Sequence, residues 1–300
     1  MKFASFVYKD KSNFGVLKDD KIVPANVILR KMGTRQRFSC LKDFIAYLFE
    51  NRLLQTVNEI VERIHEKGIK MEYVKLLPPI PNPSKIICIG LNYEDYRKIL
   101  NLEPTKAPTF FLKAPSTLIG NYEEILVPKG TGGIFHEWEI AMVVGKKAKH
   151  VRKSEFREYV FGLTIFNDIT GHELEMIENR RYQQLAKNID TYGPMGPWIS
   201  TLDEFKNGMN NLTLTRKVNG QIVCKSSTSQ MRFSFEDILE YLSTFITLYP
   251  GDIISTGSPP TGYVKNGDEI EVDVENIGIL KNRVKEIEQE LSFVSNLNLT

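Results

Sequence analysis

Two glutamates lie two residues apart in the stretch GGIFHEWEIAMVVG, residues 132–145, which otherwise has the pattern of a buried strand. Because side chains alternate along a strand, Glu137 and Glu139 share a face with Ala141 and Val143. Their Cα atoms would lie roughly 6.6 Å apart, about two strand rises. Long glutamate side chains can close that gap around a hard cation that takes oxygen ligands. The spacing suggests a metal site, although it is also typical of the solvent face of an amphipathic strand.

A third carboxylate follows a second apolar stretch, FGLTIFNDITGHE. Asp168 lies where that predicted strand ends, a position at which sites are often built. A set of carboxylates alone favours Mg²⁺ or Mn²⁺ over zinc, which prefers His and Cys. His136 is adjacent to Glu137 but would face the other way in a regular strand. The candidate metal ligands are therefore Glu137, Glu139 and Asp168.

A rigid β framework must hold these carboxylates, and the sequence predicts one in its later part. The predicted strands are 85–90, 109–113, 138–144, 160–166, 212–218, 252–255, 269–274 and 280–284. One clear helix lies among them, with Ser234 as N-cap and Asp237 at the capping-box position. Many strands, few helices and no strict βα alternation disfavour a Rossmann or TIM-barrel fold. We expect an α+β fold that is mainly β.

The earlier part of the chain predicts a smaller unit. Short apolar runs at 3–8, 14–17 and 22–23 indicate a β-meander, and two amphipathic helices follow, the first with Ser39 as candidate N-cap. Four prolines in LLPPIPNPS then exclude a helix or a central strand. We therefore predict a small N-terminal α+β domain over residues 1–77 and a catalytic domain over 78–300.

Composition narrows the classes of partner. The net charge is +2, with 39 Lys+Arg against 37 Asp+Glu, so we expect no nucleic-acid partner. The sequence begins without a signal-peptide pattern and has no apolar run approaching ~18 residues, so we expect no membrane partner. Cys40, Cys88 and Cys224 are far apart and form no CxxC pair, which favours a reducing compartment. The expectation is a soluble, cytoplasmic protein that binds a small molecule.

Eight segments, in order, resemble the fumarylacetoacetate hydrolase family. They are PPIPNPSKIICIGLNY, FFLKAPSTLIG, HEWEIAMVVGKKAKHV, GLTIFNDIT, KNIDTYGPMGPWI, VNGQIV, FSFEDILEYLSTFITLYPGDIISTGSPPTG and NIGILKNRV. The resemblance covers nearly the whole chain. It implies a mixed β-roll catalytic domain, a homodimer, and one divalent metal per subunit held by Glu137, Glu139 and Asp168.

The same resemblance implies further site residues. Lys187 in AKNIDTYGP matches a family position, and its ammonium would polarise a substrate carbonyl or hold a carboxylate. Thr256 and Gly257 match a family loop near the substrate. Lys113 is expected to line the pocket, and Asn188 stands where relatives carry Ser. The expected substrate-binding residues are Lys113, Asn188, Thr256 and Gly257.

The chain departs from the family pattern on its short lid segment. Relatives typically carry NYxxH followed three residues later by Glu, where the His activates water, but LNYEDYRKIL places Tyr96 and Ile99 there. Tyrosine, with an ordinary pKa near 10, is a poor general base at neutral pH. Another base could be Glu94, Asp95, His172 or hydroxide on the metal. The catalytic candidates are Lys187, Tyr96 and Glu94.

These observations favour an enzyme acting on a small anionic 2-oxo acid or 1,3-dicarbonyl compound. Hydrolytic C–C cleavage of an acylpyruvate-like substrate is the leading hypothesis for the reaction, because it is the commonest chemistry of the family that the chain resembles. Dehydration of a 2-keto-3-deoxy sugar acid, and decarboxylation or isomerisation of a β-keto acid, are alternatives that suffer less from the loss of the lid His. The contrasting hypothesis is a β-rich binding scaffold whose carboxylates are only surface charge.

Overall fold

The computed structural model describes residues 1–129, 132–177 and 184–288. The strands are β1 (Lys2–Tyr8), β2 (Lys11–Lys18), β3 (Lys21–Pro24), β4 (Ile69–Lys70), β5 (Lys75–Leu76), β6 (Ile86–Gly90), β7 (Thr109–Lys113), β8 (Leu118–Ile119), β9 (Glu124–Pro128), β10 (Ile134–His136), β11 (Trp138–Val144), β12 (Val160–Asn167), β13 (Thr170–Gly171), β14 (Gly193–Thr201), β15 (Thr213–Val218), β16 (Gln221–Ser227), β17 (Ile253–Ser255), β18 (Gly262–Val264), β19 (Glu269–Val274) and β20 (Gly278–Ile287). The α-helices are α1 (Ala25–Lys31), α2 (Leu41–Glu50), α3 (Leu54–Ile64), α4 (Glu94–Ile99), α5 (His172–Ile177), α6 (Gln184–Lys187) and α7 (Phe235–Phe245). Short 3₁₀ helices span His65–Lys67, Met71–Tyr73, Pro115–Thr117, Lys153–Glu158, Leu202–Glu204 and Thr228–Gln230.

Three sheets organise these strands. The largest has twelve strands in the order β4-β3-β2-β1-β14-β12-β11-β17-β6-β7, with β5 on β1 and β8 on β14. A three-stranded sheet, β13-β10-β18, and a five-stranded sheet, β16-β15-β19-β20-β9, complete the set. The large sheet is mixed, since β17 and β6 run parallel whereas β11 and β12 run antiparallel. The predicted α+β, mainly β class is confirmed.

The N-terminal strands belong to the same large sheet as the strands that carry the carboxylates. β1 pairs antiparallel with β14, with Lys2 opposite Ser200. One hydrophobic core includes Phe3 and Phe44 from the N-terminal unit together with Phe161 and Val143 from the later strands. Sheet and core are therefore continuous across residue 77, and the division into domains 1–77 and 78–300 stays a prediction.

Side chains alternate along β11 between two buried cores. Ala141 and Val143 pack in the core shared with the N-terminal helices, whereas Ile140 and Met142 pack in a second core with α7. Every residue of β11 is buried, including Glu139, which is 1% exposed. The interpretation of this strand as amphipathic, with its glutamates in solvent, is wrong for Glu139.

Helix ends show which local signals were reliable. α7 begins as predicted, because the Ser234 hydroxyl accepts from the Asp237 N–H and the Asp237 carboxylate accepts from the Ser234 N–H. The predicted N-cap Ser39 is wrong: Cys40 occupies that position in extended backbone, and no side chain caps the helix. In the described part of the chain, no helix combines the length and apolar character needed to cross a bilayer.

Candidate metal centre

The three predicted ligands meet where two sheets join. Glu137 connects β10 to β11, and Asp168 directly follows β12. β11 and β12 pair with Trp138 opposite Asn167, and the Asp168 N–H donates to the Glu137 carbonyl at 2.8 Å. One carboxylate oxygen from each of Glu137, Glu139 and Asp168 lies within 4.8 Å of the others. We call these three side chains the carboxylate triad.

Two buried ammonium groups contact the triad. Lys113 Nζ donates to Asp168 Oδ1 at 2.7 Å, and Lys187 Nζ donates to Asp168 Oδ2 at 2.7 Å and to Glu137 Oε2 at 2.8 Å. Burial alone would raise the pKa of Asp168, but the two ammonium groups hold it below its usual range. Burial likewise opposes the charged form of Lys187, yet the carboxylates of Asp168 and Glu137 raise its pKa above the ordinary value. Lys187 is therefore a fixed positive charge at neutral pH.

Glu139 has a different environment from the other two carboxylates of the triad. Its Oε2 accepts hydrogen bonds from Ser255 Oγ at 2.5 Å and from the Gly257 N–H at 2.9 Å. Burial raises the pKa of Glu139 well above its usual value, and the nearby charge of Asp168 raises it further. Burial also raises the pKa of Glu137. Ionising these carboxylates together is costly unless a cation neutralises them.

The donor set fits a hard divalent cation. Three carboxylates and two ammonium groups carry one net negative charge, which a divalent ion would convert to one net positive charge. Oxygen ligands alone suit Mg²⁺ or Mn²⁺. A centre with that final charge would attract an anionic substrate.

Neutral side chains fix the positions of these charges. Thr170 Oγ1 donates to Glu137 Oε1 at 3.2 Å. Asn188 Oδ1 accepts from the Ala114 N–H at 2.5 Å, and its Nδ2 donates to the Gln184 carbonyl at 2.8 Å. Asn188 thereby ties the end of β7, which carries Lys113, to α6, which carries Lys187.

A pocket of about 720 Å³ opens beside the triad. Glu137, Glu139 and Lys187 line it, and so does Tyr96 from α4. The Lys187 ammonium lies 5.0 Å from the centre of the Phe111 ring, within the range of a cation–π contact. Much of the remaining wall is apolar, with contributions from Leu100, Leu102, Phe110, Leu112 and Phe135. Its size suits a small-molecule ligand.

The lid residues make contacts that the sequence did not reveal. The Tyr96 hydroxyl is hydrogen-bonded to Thr261 Oγ1 at 2.7 Å, and burial raises the pKa of Tyr96. Glu94 accepts from Arg232 at 3.3 Å, with both side chains about one-third exposed. Asp95 accepts from Ser226 Oγ at 2.8 Å. The catalytic role predicted for Glu94 stays a prediction, and its carboxylate is engaged by an arginine.

His172, the other alternative base, packs edge-on against Phe135 and Tyr263, with ring centroids 4.8 and 6.5 Å away. Its Nδ1 is buried, and in the described residues it has no hydrogen-bond partner. Phe135, not the His172 ring, reaches the pocket.

The loop after β17 supports the triad from behind. Thr256 is fully buried and its Oγ1 donates to the Ile140 carbonyl at 2.8 Å. Gly257 has a φ of +94°, and a Cβ there would lie 2.8 Å from the Asn92 Cβ, so both conformation and space require glycine. Thr256 thus contacts the strand that carries Glu139, and the Gly257 N–H contacts the Glu139 side chain. A contact of either residue with substrate stays a prediction.

Sequence reasoning missed three residues of the site: Ser255, Thr170 and Phe111. Ser255 lies immediately before the Thr256–Gly257 pair, but only the register of β17 on β11, with Ser255 opposite Ala141, places its hydroxyl on Glu139. Thr170 was visible in the NDIT segment two residues after Asp168.

Comparison with known proteins agrees with this geometry. Residues 85–285 match the family described as Fumarylacetoacetate (FAA) hydrolase C-terminal. An uncharacterized protein of Methanocaldococcus jannaschii is 43% identical over 208 residues, which cover 69% of this chain and 85% of that protein. A mitochondrial oxaloacetate tautomerase of Rattus norvegicus, Fahd2a, is 37% identical over 224 residues, or 72% of this chain and 71% of the relative.

A solved structure extends the likeness to nearly the whole chain. Maleylpyruvate hydrolase from Sphingobium sp. SYK-6, in complex with a manganese(II) ion and pyruvate, superposes with a TM-score of 0.77 at 27% identity. The match covers 96% of this chain and 100% of that chain, so the predicted β-roll type is confirmed. The triad, the continuous sheet and these matches agree: the chain belongs to the fumarylacetoacetate hydrolase family.

Proposed function

We propose that this protein is a metal-dependent tautomerase that interconverts the keto and enol forms of a small anionic 2-oxo acid such as oxaloacetate. The observation that carries this choice is the engagement of the lid groups. Glu94 is held by Arg232, Asp95 by Ser226, and Tyr96 by Thr261. Hydrolysis needs a base that takes a proton from water, and no carboxylate or His of this lid is free to do so, whereas tautomerisation needs only a group that exchanges one proton with the substrate. The similarity to the rat oxaloacetate tautomerase supports the same choice.

Glu137, Glu139 and Asp168 would hold Mg²⁺ or Mn²⁺, which when bound supplies Lewis-acid polarisation of the substrate's oxygens. The negative charge of the triad and its oxygen donors support this assignment. The manganese(II) and pyruvate in the Sphingobium enzyme support it as well, because pyruvate contains the 2-oxo acid group that we propose for the substrate.

The two lysines would have different tasks. Lys187 lines the pocket and keeps its proton, so it would stabilise the substrate carboxylate or the oxygen on which enolate charge develops. Lys113 is fully buried and donates to both Asp168 and the Ile169 carbonyl. Lys113 would therefore act by orienting Asp168 rather than by touching substrate.

Tyr96 would handle the proton. In the enol-to-keto direction, a proton is added to carbon 3 and another leaves the enol hydroxyl. The Tyr96 hydroxyl, which lines the pocket and stays protonated because burial raises its pKa, would deliver the first proton and recover the second. No bond between heavy atoms breaks, and the enzyme ends unchanged.

Hydrolysis of an acylpyruvate-like substrate is the second candidate. The likeness to maleylpyruvate hydrolase over 96% of this chain favours it. It would require a base from outside the lid contacts described above, because hydrolysis needs a water that has lost a proton.

The homodimer and the cytoplasmic location belong to the proposal too. The family resemblance supports the dimer, which light scattering of the purified protein would test. The spaced, unpaired cysteines support a reducing compartment, although the rat relative is named as mitochondrial.

The deciding experiment follows the ultraviolet absorbance of freshly dissolved enol-oxaloacetate with Mg²⁺ or Mn²⁺, beside a parallel assay of acetylpyruvate cleavage. We expect accelerated loss of the enol with native protein, and no acceleration with Glu139→Gln or with excess chelator. Cleavage of acetylpyruvate without acceleration of tautomerisation would overturn the proposal in favour of hydrolysis.

A further inference from the structure

Behind the carboxylate triad, three buried side chains form one hydrogen-bonded chain. Arg216 Nε donates to His136 Nδ1 at 3.2 Å, and His136 Nε2 lies 3.2 Å from Asn167 Oδ1. His136 and Asn167 are fully buried, and Arg216 is 6% exposed. Each residue comes from a different sheet: Arg216 from the five-stranded sheet, His136 from the three-stranded sheet and Asn167 from the large sheet. We call this set the Arg216–His136–Asn167 chain.

The chain has a single hydrogen-bonding direction. A guanidinium can only donate, so His136 Nδ1 must accept. The neutral imidazole then carries its hydrogen on Nε2 and donates to Asn167 Oδ1. Burial lowers the pKa of His136 to about 3, in agreement with a neutral ring. The contacts thus define one tautomer and one orientation for each member.

Arg216 is a costly residue to bury. Burial lowers its pKa, and within the described residues no carboxylate forms an ion pair with it. A buried cation without a counter-charge normally destabilises a fold by several kcal/mol. The guanidinium also packs directly against the backbone of Gly262, where a Cβ would lie 2.1 Å from Arg216 Nη1. An apolar side chain would fill this volume at lower cost, so packing alone does not explain the arginine.

Sequence position connects this chain to the ligands. His136 immediately precedes Glu137, and Asn167 immediately precedes Asp168. Because peptide bonds are planar and stiff, a shift of His136 moves Glu137, and a shift of Asn167 moves Asp168. We infer that the Arg216–His136–Asn167 chain sets the spacing between Glu137 and Asp168, and through that spacing the affinity of the triad for a divalent cation. The three members are positioning residues, and the inference rests on the proposed metal-dependent function.

The test is Mn²⁺ binding by isothermal titration calorimetry on chelator-treated full-length protein. We expect Arg216→Met to weaken Mn²⁺ binding by about 10- to 100-fold, the range seen when outer-shell partners of metal ligands are removed. The matched control is Lys217→Met, which removes the same charge from the next residue of β15, where the partly exposed side chain pairs with Glu271. Its affinity should stay within about twofold of native on this reasoning.

Two further variants separate positioning from general support. Arg216→Lys keeps a donor for His136 and should recover part of the lost affinity. Gly262→Ala keeps Arg216, His136 and Asn167 but displaces the Arg216 guanidinium, so it should weaken Mn²⁺ binding as well. At saturating Mn²⁺, kcat of Arg216→Met should approach the native value, because the Arg216–His136–Asn167 chain acts on the metal ligands and not on the substrate.

Native Mn²⁺ affinity in both Arg216→Met and Gly262→Ala would overturn the inference, even if their melting temperatures fall. If Arg216→Met does not fold, the affinity of Gly262→Ala decides. Failure of the proposed function has a different signature: native protein that binds Mn²⁺, and variants that bind it weakly, but no tautomerase activity in any of them. Native protein with no Mn²⁺ or Mg²⁺ binding would overturn both.

Discussion

Replacing Glu139 with glutamine removes one charge of the carboxylate triad while keeping the shape of the side chain. Both hydrogen bonds to Glu139, from Ser255 Oγ and from the Gly257 N–H, end on the same oxygen, Oε2. The carbonyl oxygen of a glutamine can take that place. Its amide group would then point toward the other carboxylates, where it could donate a hydrogen bond. The substitution should therefore leave the fold intact and change mainly the electrostatics of the site.

The size of the effect follows from the geometry. Two unit charges 4.8 Å apart, the largest separation within the triad, repel by about 3.5 kcal/mol at an effective dielectric constant of 20. The ammonium groups of Lys113 and Lys187, which contact the triad, offset part of this repulsion. We expect metal-free Glu139→Gln to be more stable than native protein by about 1–3 kcal/mol at neutral pH. For a chain of this size that corresponds to a Tm increase of roughly 2–5 °C.

Metal should reverse the order of stability. Native protein gains about 2.7 kcal/mol at a cation concentration of 100 times Kd, whereas Glu139→Gln, with a weakened site, gains little. The sign with pH is also defined. Because burial raises the folded-state pKa of Glu139, its contribution to metal-free stability is present below its ordinary pKa of 4.5 and is lost as pH rises through the raised value. Without metal, the free energy by which Glu139→Gln is more stable than native protein should therefore increase as pH rises through the raised pKa.

The assay is thermal or urea unfolding in excess chelator and again in excess Mn²⁺, at several pH values. A Glu139→Gln protein that is less stable than native in chelator would refute the electrostatic reasoning. A variant that Mn²⁺ stabilises as much as native protein would refute the assignment of Glu139 as a ligand.

Three other changes test separate parts of the site. Tyr96→Phe removes the hydroxyl that meets Thr261 and should lower tautomerase kcat by about 10²–10⁴-fold, with Mn²⁺ affinity by calorimetry unchanged; a fully active variant would exclude Tyr96 as the proton carrier. Ser255→Ala deletes a hydrogen bond to Glu139 and should weaken Mn²⁺ binding by about tenfold, and equal affinity would show that the hydroxyl is dispensable. Ser234→Ala removes the N-cap of α7 and should cost about 0.5–2 kcal/mol in urea unfolding with activity unchanged, so a loss of activity would show that α7 affects the site.

Local patterns in the sequence predicted the elements well. Strands β7, β11 and β19 have the predicted bounds, and the capping box of α7 is present, because each depends on residues close together in the chain. The short helices α1 and α4 were missed, since seven and six residues hardly reveal a helical period. The Ser39 cap was missed by one residue because a capping signal without Glu or Gln three positions later is weak.

The grouping of the three carboxylates was predictable from the sequence, but the contacts that hold them in place were not. Spacing, strand ends and family resemblance identified Glu137, Glu139 and Asp168, and the structure brings them together. Ser255 on Glu139 and Arg216 on His136 join residues 116 and 80 positions apart. Such contacts depend on sheet order, which composition and periodicity do not encode. The burial of Glu139 was likewise invisible, because it depends on what covers that face of the sheet.

The position of β1 inside the large sheet has a consequence for the order of folding during synthesis. β1 lies between β2 and β14, and Met1 contacts Thr201, 200 residues later in the chain. The N-terminal meander therefore emerges from the ribosome with one edge of β1 open. β5 later covers that edge at Phe6 and Val7, but the part at Lys2 and Phe3 stays unpaired until β14 has been made. Long-range pairing of this kind folds slowly, and open edges invite wrong partners. We expect the nascent chain to depend on chaperones during that interval, and slow translation before residue 193 to lower the yield of native protein.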